Sequence, residues 1–313
     1  MRYSNVFGEK SSRIILGTAY FGDGIEEQTA FDIMDKFREM GGTHIDTARL
    51  YADGRSEEIV GKWVRERKAT QMHISTKGGY PTKDAPDVVR LSETEIRYDL
   101  EKSLSALGVE SAEFYWLHRD DEKTSEGEII EMMNTLVKEG KIKAFGASNW
   151  TAARIKKAQA YAKEHKLKGF SASQIRFNPA YNVTERSGLV GMDKNEFAYY
   201  KEANMPVVAY SSQAKGFFSK MAEQGEHALS EKAKLRYMCD MNVKKVEMIK
   251  ELACEHHCSV AAIICGAFCS FGQPEVFPVI GGRNLAQITD SLTGADIALT
   301  EKEIEAIFKF VID

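Results

Sequence analysis

The sequence has no run of about 18 consecutive apolar residues, the length that a helix needs to cross a bilayer. Its first residues, MRYSNVFGEK, also lack the apolar core of a secretory signal peptide. Basic residues are not in excess, because 42 Lys and Arg stand against 46 Asp and Glu and the net charge is −4. These absences predict a cytoplasmic protein that binds neither membranes nor nucleic acid, and they favour a small molecule as its partner.

Cysteine is scarce, and all of it lies in the last quarter of the chain. The five cysteines are Cys239, Cys254, Cys258, Cys265 and Cys269. An odd number at helical spacings favours reduced thiols over a disulfide framework. Cys254, His256, His257 and Cys258 form a local cluster, but no second ligand pair with zinc-binding spacing lies close by. We therefore interpret the cluster as cap and core residues at a helix end, and we predict no metal site.

Eight apolar strand patterns, with helical patterns following them, occupy most of the 313 residues. The strands are predicted at 13–17, 43–45, 72–76, 113–117, 142–146, 170–174, 206–209 and 277–280. The helices are predicted at 25–40, from 56 onward, and at 92–107, 128–138, 151–165, 194–203, 243–255, 259–271, 285–292 and 301–310. A turn at 6–10 between two short extended runs predicts a small hairpin ahead of the first of these strands.

Alternating strands and helices imply a parallel sheet with right-handed crossovers. Eight such units predict a closed (β/α)₈ TIM barrel, with a short N-terminal β-hairpin and extra helices near the C-terminus. The alternative is an open doubly wound sheet, which expects a G-x-G-x-x-G loop after the first strand. The segment at that point reads GTAYFG and does not fit. No linker or low-complexity segment interrupts the chain, so we predict a single domain, 1–313.

Polar and ionisable residues stand where the predicted strands end. They are Asp46, Lys77, His118, Asn149, Gln174 and Tyr210, and Tyr51 lies in the loop after Asp46. In a barrel the carboxyl ends of the strands meet at one mouth, where active sites are found. Each residue alone has an ordinary explanation, such as a loop cap or a surface charge. Together they are hard to explain by packing, and they predict an active site at the mouth.

The mixture of groups suits proton transfer to a carbonyl oxygen. Tyrosine has an ordinary pKa of about 10, and a nearby Lys77 ammonium would lower it by favouring the phenolate. Asp46 would keep Lys77 charged and oriented, while His118 would donate a hydrogen bond to the same substrate oxygen. Tyr51 could then protonate the oxygen as it becomes an alkoxide. The reaction also needs a hydride, which a cofactor has to supply.

Seven segments, taken in order, resemble the aldo-keto reductase family and span nearly the whole chain. They are LGTAYFG (16–22), HIDTARLYADGRSEEIVGKW (44–63), STKGG (75–79), LHRDD (117–121), GKIKAFGASNW (140–150), QIRFNP (174–179) and AYSSQAKGFF (209–218). The resemblance implies an oxidoreductase that reduces an aldehyde or ketone with NADP, with NAD as the alternative cofactor. It also implies that Asp46, Tyr51, Lys77 and His118 form the catalytic tetrad, in which Tyr51 is the general acid/base.

The resemblance further implies a set of cofactor contacts. Ser148, Asn149 and Gln174 would hold the nicotinamide carboxamide, and Tyr210 would stack on the ring. The segment VIGGRNLAQITDS (279–291) resembles the adenosine-phosphate segment of the family, in which Arg283 is the candidate for the 2′-phosphate. A solvated arginine at a helix start is the alternative for Arg283. Ser211, Gln213 and Gly216 would line the pyrophosphate. The complete set of predicted cofactor contacts is Gly17, Thr18, Asp46, Ser148, Asn149, Gln174, Tyr210, Ser211, Gln213, Gly216, Gly281, Arg283, Gln287 and Ser291.

The substrate pocket is predicted to lie between the loops 80–91 and 119–128 and the C-terminal tail. The predicted substrate contacts are Tyr20, Tyr51, Tyr80, His118 and Arg119. Arg49 and Arg119 suggest a polar or anionic carbonyl compound, such as one derived from a sugar. The alternative is that both arginines make local salt bridges.

Two other functions stay open from the sequence. One is a sensor or subunit that binds NADPH on the same fold without catalysis. The other is a metal-dependent barrel hydrolase with His44, Asp46 and His118 as ligands, because a His-x-Asp pair on one strand points both side chains to the same face.

Overall fold

The structure is a computed structural model that describes residues 1–8, 10–184 and 187–313. Eight parallel strands close into a barrel in the order β10-β3-β4-β5-β6-β7-β8-β9. Their bounds are β3 Ile15–Gly17, β4 His44–Asp46, β5 His73–Gly78, β6 Ala112–Leu117, β7 Ile142–Ser148, β8 Ser173–Arg176, β9 Val207–Tyr210 and β10 Val276–Ile280. Parallel pairing of β10 with β3 closes the ring, which confirms the predicted (β/α)₈ barrel and excludes the open sheet.

Twelve α-helices are present in the described ranges. They are α1 Glu27–Glu39, α2 Arg55–Glu66, α3 Glu93–Leu107, α4 Glu126–Lys138, α5 Ala152–Glu164, α6 Lys194–Ala203, α7 Phe217–Gln224, α8 Glu231–Tyr237, α9 Asp240–Glu255, α10 Val260–Ser270, α11 Leu285–Thr293 and α12 Glu301–Phe308. Ser92 caps α3 in a capping box with Glu95, as its sequence predicts. Helices α7 and α8 lie in the segment after β9, where the sequence had shown only an insertion.

A short hairpin, β1 Tyr3–Ser4 paired antiparallel with β2 Ser11–Ser12, precedes the barrel. The predicted turn between them includes Glu9, which lies outside the described residues. Phe7 from this turn packs edge-on against His44, Phe114 and Phe277, with ring centroids 4.9, 5.1 and 5.1 Å away. These residues belong to three different barrel strands, so the hairpin closes the end of the barrel opposite the mouth.

Strand β8 differs most from its predicted bounds, because it begins at Ser173 and not at 170. The backbone N–H of Phe170 donates to Gln159 Oε1 at 2.8 Å, and its carbonyl accepts from Gln159 Nε2 at 3.1 Å. A side chain of α5 therefore takes both backbone groups that a strand residue would have used. The strand extends further at its other end, to Arg176, which pairs with Tyr210 in β9.

The cysteine-rich C-terminal region packs as two helices. Nine residues of α10 are buried, including Cys265 and Cys269, and α9 ends with His256 at its C-cap, hydrogen-bonded to Glu303 at 2.6 Å. Within the described ranges, no single helix is long and apolar enough to cross a membrane. The pair α9 and α10 meets the length and composition criterion only when taken together, and the two helices bend by 85° at their junction.

Candidate active site

A buried ion pair lies at the mouth of the barrel. Asp46 ends β4, and Lys77 on the neighbouring β5 donates from Nζ to Asp46 Oδ2 and, at 2.7 Å, to the carbonyl of Thr47. Asp46 Oδ1 also accepts from Ser75 Oγ at 2.7 Å and from Gln174 Nε2 at 3.2 Å. Both oxygens of this carboxylate are thus hydrogen-bonded, as a buried charge requires. The ammonium group is held in one place.

Tyr51 completes this group from the loop after β4. It begins a short 3₁₀ turn, Tyr51–Gly54, in which Ala52 and Asp53 adopt positive φ angles of 49° and 55°. The turn places Tyr51 Oη 3.4 Å from Lys77 Nζ, and the ammonium lies 5.0 Å from the centroid of the Tyr51 ring. The phenol and the ammonium are therefore in direct contact.

The environment determines the protonation states of these groups. Burial raises the pKa of Tyr51 above 10, and the nearby Lys77 ammonium opposes this effect only in part. The sequence-based expectation that Lys77 brings this pKa down is therefore wrong in its net direction, because desolvation of the phenolate is the larger effect. Burial alone would lower the pKa of Lys77, but Asp46 and Tyr51 outweigh it and the net pKa is raised. At neutral pH the pair is a phenol beside an ammonium.

His118 follows β6 directly and faces the same space. Its ring meets the Tyr51 ring edge-on, with centroids 6.1 Å apart, and packs against Tyr80 at 4.8 Å. Burial, with further effects from Lys77 and Arg119, lowers the pKa of His118 well below 6.5. Its Nδ1 is buried and has no hydrogen-bond partner among the described residues. A neutral imidazole can donate a single hydrogen bond, which suits contact with a substrate oxygen.

A polar cluster of Ser148, Asn149 and Gln174 adjoins this group. Ser148 and Gln174 are paired across β7 and β8, and all three residues are buried. Asn149 adopts a positive φ of 62°, and its Nδ2 donates to the carbonyl of His118 at 3.2 Å. Its Oδ1 accepts from Tyr210 Oη at 2.7 Å. The hydrogen bond of Gln174 to the ion pair joins this cluster to the proton-transfer group.

The segment after β9 makes a tight turn before α7. Four of its residues have positive φ angles, namely Ser211 at 53°, Ala214 at 48°, Lys215 at 57° and Gly216 at 77°. Gly216 is the N-cap of α7, so the turn leads directly into the start of a helix. Such a helix start attracts anions.

The segment around α11 meets this turn. Gln213 Nε2 donates to Ser291 Oγ at 2.9 Å, and the backbone N–H of Arg283 donates to Gln287 Oε1 at 2.8 Å. The Arg283 guanidinium is exposed and lies 4.3 Å from the centroid of the Tyr20 ring. The structure thus places Tyr20, predicted as a substrate contact, beside the residue predicted to bind phosphate.

The end of β3 contributes two small residues to the mouth. A Cβ added to Gly17 would lie 2.6 Å from Val279 Cγ1, so the approach of β10 leaves no room for a side chain. Thr18 is fully buried, and its Oγ1 donates to the carbonyl of Asp46 at 3.3 Å. Gly281 is exposed, and a Cβ added there would come no closer than 3.8 Å to the carbonyl of Gly17.

The two arginines that suggested an anionic substrate have different environments. Arg49 lies 3.4 Å from Glu57, so the local salt bridge is the correct interpretation for this residue. Arg119 is buried, and its Nη2 donates to Tyr80 Oη at 2.8 Å. Among the described residues no carboxylate pairs with it. The loops that begin at Tyr80 and Arg119, both predicted to shape the pocket, therefore meet beside His118.

The C-terminal tail reaches the loop after β8. Lys245 Nζ donates to the carbonyl of Pro179 and to the carbonyl of Lys309, both at 2.6 Å. Burial lowers the pKa of Lys245 to about 8. The tail is therefore anchored near the mouth, where the sequence predicted that it contributes to the pocket.

Two residues of this region, Ser75 and Ser212, were missed in the sequence, and His44 was considered there only as a metal ligand. Ser75 bridges the ion pair to His44, whose Nε2 lies 3.1 Å from Ser75 Oγ. Ser212 is buried and donates to the carbonyl of Val279 at 2.8 Å. Ser75 had one available signal, since it precedes Lys77 by two residues on a strand and so faces the same side. His44 carries the same signal, because it precedes Asp46 by two residues on β4, whereas Ser212 had none, because its partner Val279 is distant along the chain.

The hydrolase alternative finds no support in the geometry. The ring nitrogens of His44 face Ser11 and Ser75, and His118 follows β6, which is two strands away from β4 in the barrel. In the part of the chain that the structure describes, no three His, Cys, Asp or Glu side chains are grouped to hold a metal.

The residues present do fit a nicotinamide dinucleotide. The polar cluster offers amide groups beside the half-buried ring of Tyr210. Next to them lies His118 Nδ1, for which the described residues provide no hydrogen-bond partner. The turn before α7 and the exposed Arg283 offer donors for phosphate groups. The hydrogen bond from Gln213 to Ser291 joins this turn to α11.

Comparison with known proteins agrees with this architecture. The sequence profile described as the aldo/keto reductase family matches residues 13–312. The uncharacterized oxidoreductase YrpG of Bacillus subtilis is 30% identical over 95% of this chain and 91% of its own length. Norsolorinic acid reductase B of Dothistroma septosporum is 29% identical over 95% of this chain and 77% of its own. An aryl-alcohol dehydrogenase of Pestalotiopsis microspora is 25% identical over 94% and 76%, respectively.

The chain therefore belongs to the aldo/keto reductase family, a family of oxidoreductases.

Proposed function

We propose that the protein reduces an aldehyde or ketone to an alcohol with NADP(H), with NAD(H) as the alternative cofactor. The observation that carries the proposal is the contact of Tyr51 with Lys77, beside His118 and anchored by Asp46. The four residues come from β4, β5, β6 and one loop, and they meet at the mouth, where this fold places its chemistry. Family membership and the reductases among the relatives support the same reaction class.

Tyr51 is the proton donor in this proposal. Its raised pKa keeps the phenol protonated at neutral pH, so that it can donate to a carbonyl oxygen. As negative charge develops on that oxygen, the Lys77 ammonium stabilises the phenolate that Tyr51 becomes. Asp46 holds the ammonium in position and compensates its buried charge. His118, neutral because its pKa is depressed, orients the carbonyl through one hydrogen bond.

The remaining predicted residues would hold the cofactor, which supplies the hydride when bound. Ser148, Asn149 and Gln174 offer hydrogen bonds to a carboxamide, and Tyr210, fixed by its bond to Asn149, offers a ring face. The turn before α7 would receive the pyrophosphate. Arg283 and its neighbours on α11 would take the adenosine phosphate, and the guanidinium there favours NADP over NAD.

The five cysteines are unpaired thiols. This state suits a reducing compartment, and we place the protein in the cytoplasm.

The test is the substitution Tyr51→Phe, assayed by NADPH oxidation with a reactive aldehyde and by NADPH binding. Loss of the general acid should lower kcat by about 10²- to 10⁴-fold and leave the Kd for NADPH nearly unchanged. Tyr98→Phe is the matched control, because Tyr98 is 56% exposed on α3 and should keep full activity. Undiminished turnover in Tyr51→Phe would refute the mechanism. Tight NADPH binding by the wild-type protein without turnover of any carbonyl would favour a non-catalytic sensor.

A further inference from the structure

Arg119 is a buried cation that has no carboxylate partner among the residues described by the structure. Its side chain leads from β6 into the mouth, and the residue is only 8% exposed. Three other largely buried arginines each pair with a carboxylate, Arg13 with Glu275 at 3.1 Å, Arg90 with Asp99 and Arg154 with Asp120, both at 3.0 Å. For Arg119 the described residues provide no such partner. A buried charge without a counter-charge is costly, so its retention needs an explanation.

The contacts of Arg119 leave one edge of the guanidinium unused. Nη2 donates to Tyr80 Oη, and the guanidinium carbon lies 4.7 Å from the centroid of the Tyr80 ring. Nη1 is buried and has no hydrogen-bond partner among residues that the structure describes. The loop after β8 passes over it, since a Cβ added to Gly188 would lie 2.8 Å from Nη1. The side chain is thus held in place with unused N–H groups.

The charge of Arg119 acts on the proposed reaction site. It contributes to the lowered pKa of His118, and Tyr80 joins the two residues by packing on the His118 ring at 4.8 Å. It also acts on Tyr210, whose pKa is raised mainly by burial. The guanidinium groups of Arg119, Arg176 and Arg236 each lower that pKa in part. This side of the mouth is therefore electropositive.

We infer that Arg119 binds an oxyanion group of the substrate, so that the compound reduced is an aldehyde or ketone bearing a carboxylate or a phosphate. A guanidinium offers paired N–H donors that match both groups, and Tyr80 holds it in position. The substrate anion would supply a counter-charge on binding. This inference rests on the proposed function, since it names the substrate class of the same site.

The test compares matched substrates that differ in one anionic group. Succinic semialdehyde is compared with butanal for a carboxylate, and glyceraldehyde 3-phosphate with glyceraldehyde for a phosphate. For at least one pair, the wild-type kcat/KM should be about 10- to 100-fold higher for the anionic substrate than for the neutral one. This factor corresponds to the contribution of a hydrogen bond to a charged group. The pair with the larger ratio identifies the oxyanion. Arg119→Met should abolish the preference while the neutral aldehyde is still reduced, and Arg119→Lys should retain part of it.

The control is Arg49→Met, which removes an arginine that already has a carboxylate partner, Glu57. It should change the kcat/KM of both members of a pair by the same factor. The anion site would be refuted if the wild type had nearly the same kcat/KM for the anionic and the neutral member of both pairs. It would also be refuted if the ratio of these two kcat/KM values were the same in wild type and Arg119→Met. Either result would leave the proposed reductase activity intact.

A binding measurement keeps the two proposals separate. If no aldehyde is reduced, the proposed function fails, and the anion site is decided by calorimetric titration of butyrate against butyramide and of glycerol 3-phosphate against glycerol. Tighter binding of butyrate to the wild-type protein but not to Arg119→Met would support the site. Equal binding of the anion and its neutral counterpart in both pairs would overturn it.

Discussion

His44 provides a stability prediction whose size follows from the structure. The residue is 1% exposed inside the barrel, with Nε2 against Ser75 Oγ and its ring against Phe7. Burial, with smaller effects from His73 and Lys77, lowers the pKa of His44 from 6.5 to about 3. The folded protein therefore keeps this imidazole neutral at pH values at which the unfolded chain protonates it.

The sign follows from proton linkage. Between pH values near 6.5 and near 3 the unfolded state binds the additional proton, so the free energy of unfolding falls as the pH falls. The stabilisation is fully present above the unfolded pKa and is lost as the pH drops toward the folded one. With these two pKa values, the loss from His44 alone is about 2 kcal/mol between about pH 7 and about pH 5.

The assay is urea unfolding of the wild-type protein and of His44→Gln at these two pH values, monitored by circular dichroism. Other groups titrate in the same range, so the informative quantity is the difference between the two proteins. The wild type should lose about 2 kcal/mol more than His44→Gln on acidification, whatever their relative stability at neutral pH. His44→Asn provides a second variant with a smaller side chain. Equal pH dependence in wild type and both variants would refute the assignment of a buried, neutral imidazole.

Two further predictions concern the mouth of the barrel. Ser75→Ala removes one of the two neutral donors to Asp46 and keeps the bond between Asp46 and Lys77, so kcat/KM for the aldehyde should fall by about 10-fold, with NADPH affinity unchanged. Activity equal to wild type would contradict a positioning role. Gly17→Ala places a Cβ 2.6 Å from Val279 Cγ1 and should lower the free energy of unfolding by about 1–3 kcal/mol. Gly272→Ala is the control, because a Cβ there has no atom within 4 Å and should leave the free energy of unfolding unchanged. Equal denaturation midpoints for these two glycine variants would show that β10 can move away.

The fold was readable because its signals are local. A strand and the helix after it each carry their own apolar pattern, and the repetition of that unit predicted the barrel. The capping box at Ser92 could be identified from four adjacent residues. The start of β8 was not predictable in this way, because Gln159, distant along the chain, takes both backbone groups of Phe170.

The site was predictable in its composition but not in its energetics. Polar residues at strand ends, together with the family resemblance, identified Tyr51 and Lys77 as neighbours. Their protonation states depended on burial, which no local pattern shows, and the net pKa of Tyr51 moved opposite to the expectation. The two arginines could not be distinguished in sequence either. Only the structure shows Glu57 beside Arg49 and Tyr80 beside Arg119.

The sequence alone determined the barrel, the strand ends that carry polar groups and the family to which they belong. It could do so because side-chain type and spacing along the chain are local properties. The tertiary structure decided which of those groups touch, as when Gln174 reaches Asp46 across 128 positions of sequence. It also decided how much water each group keeps, and desolvation is what sets the charge of Tyr51, His44 and His118.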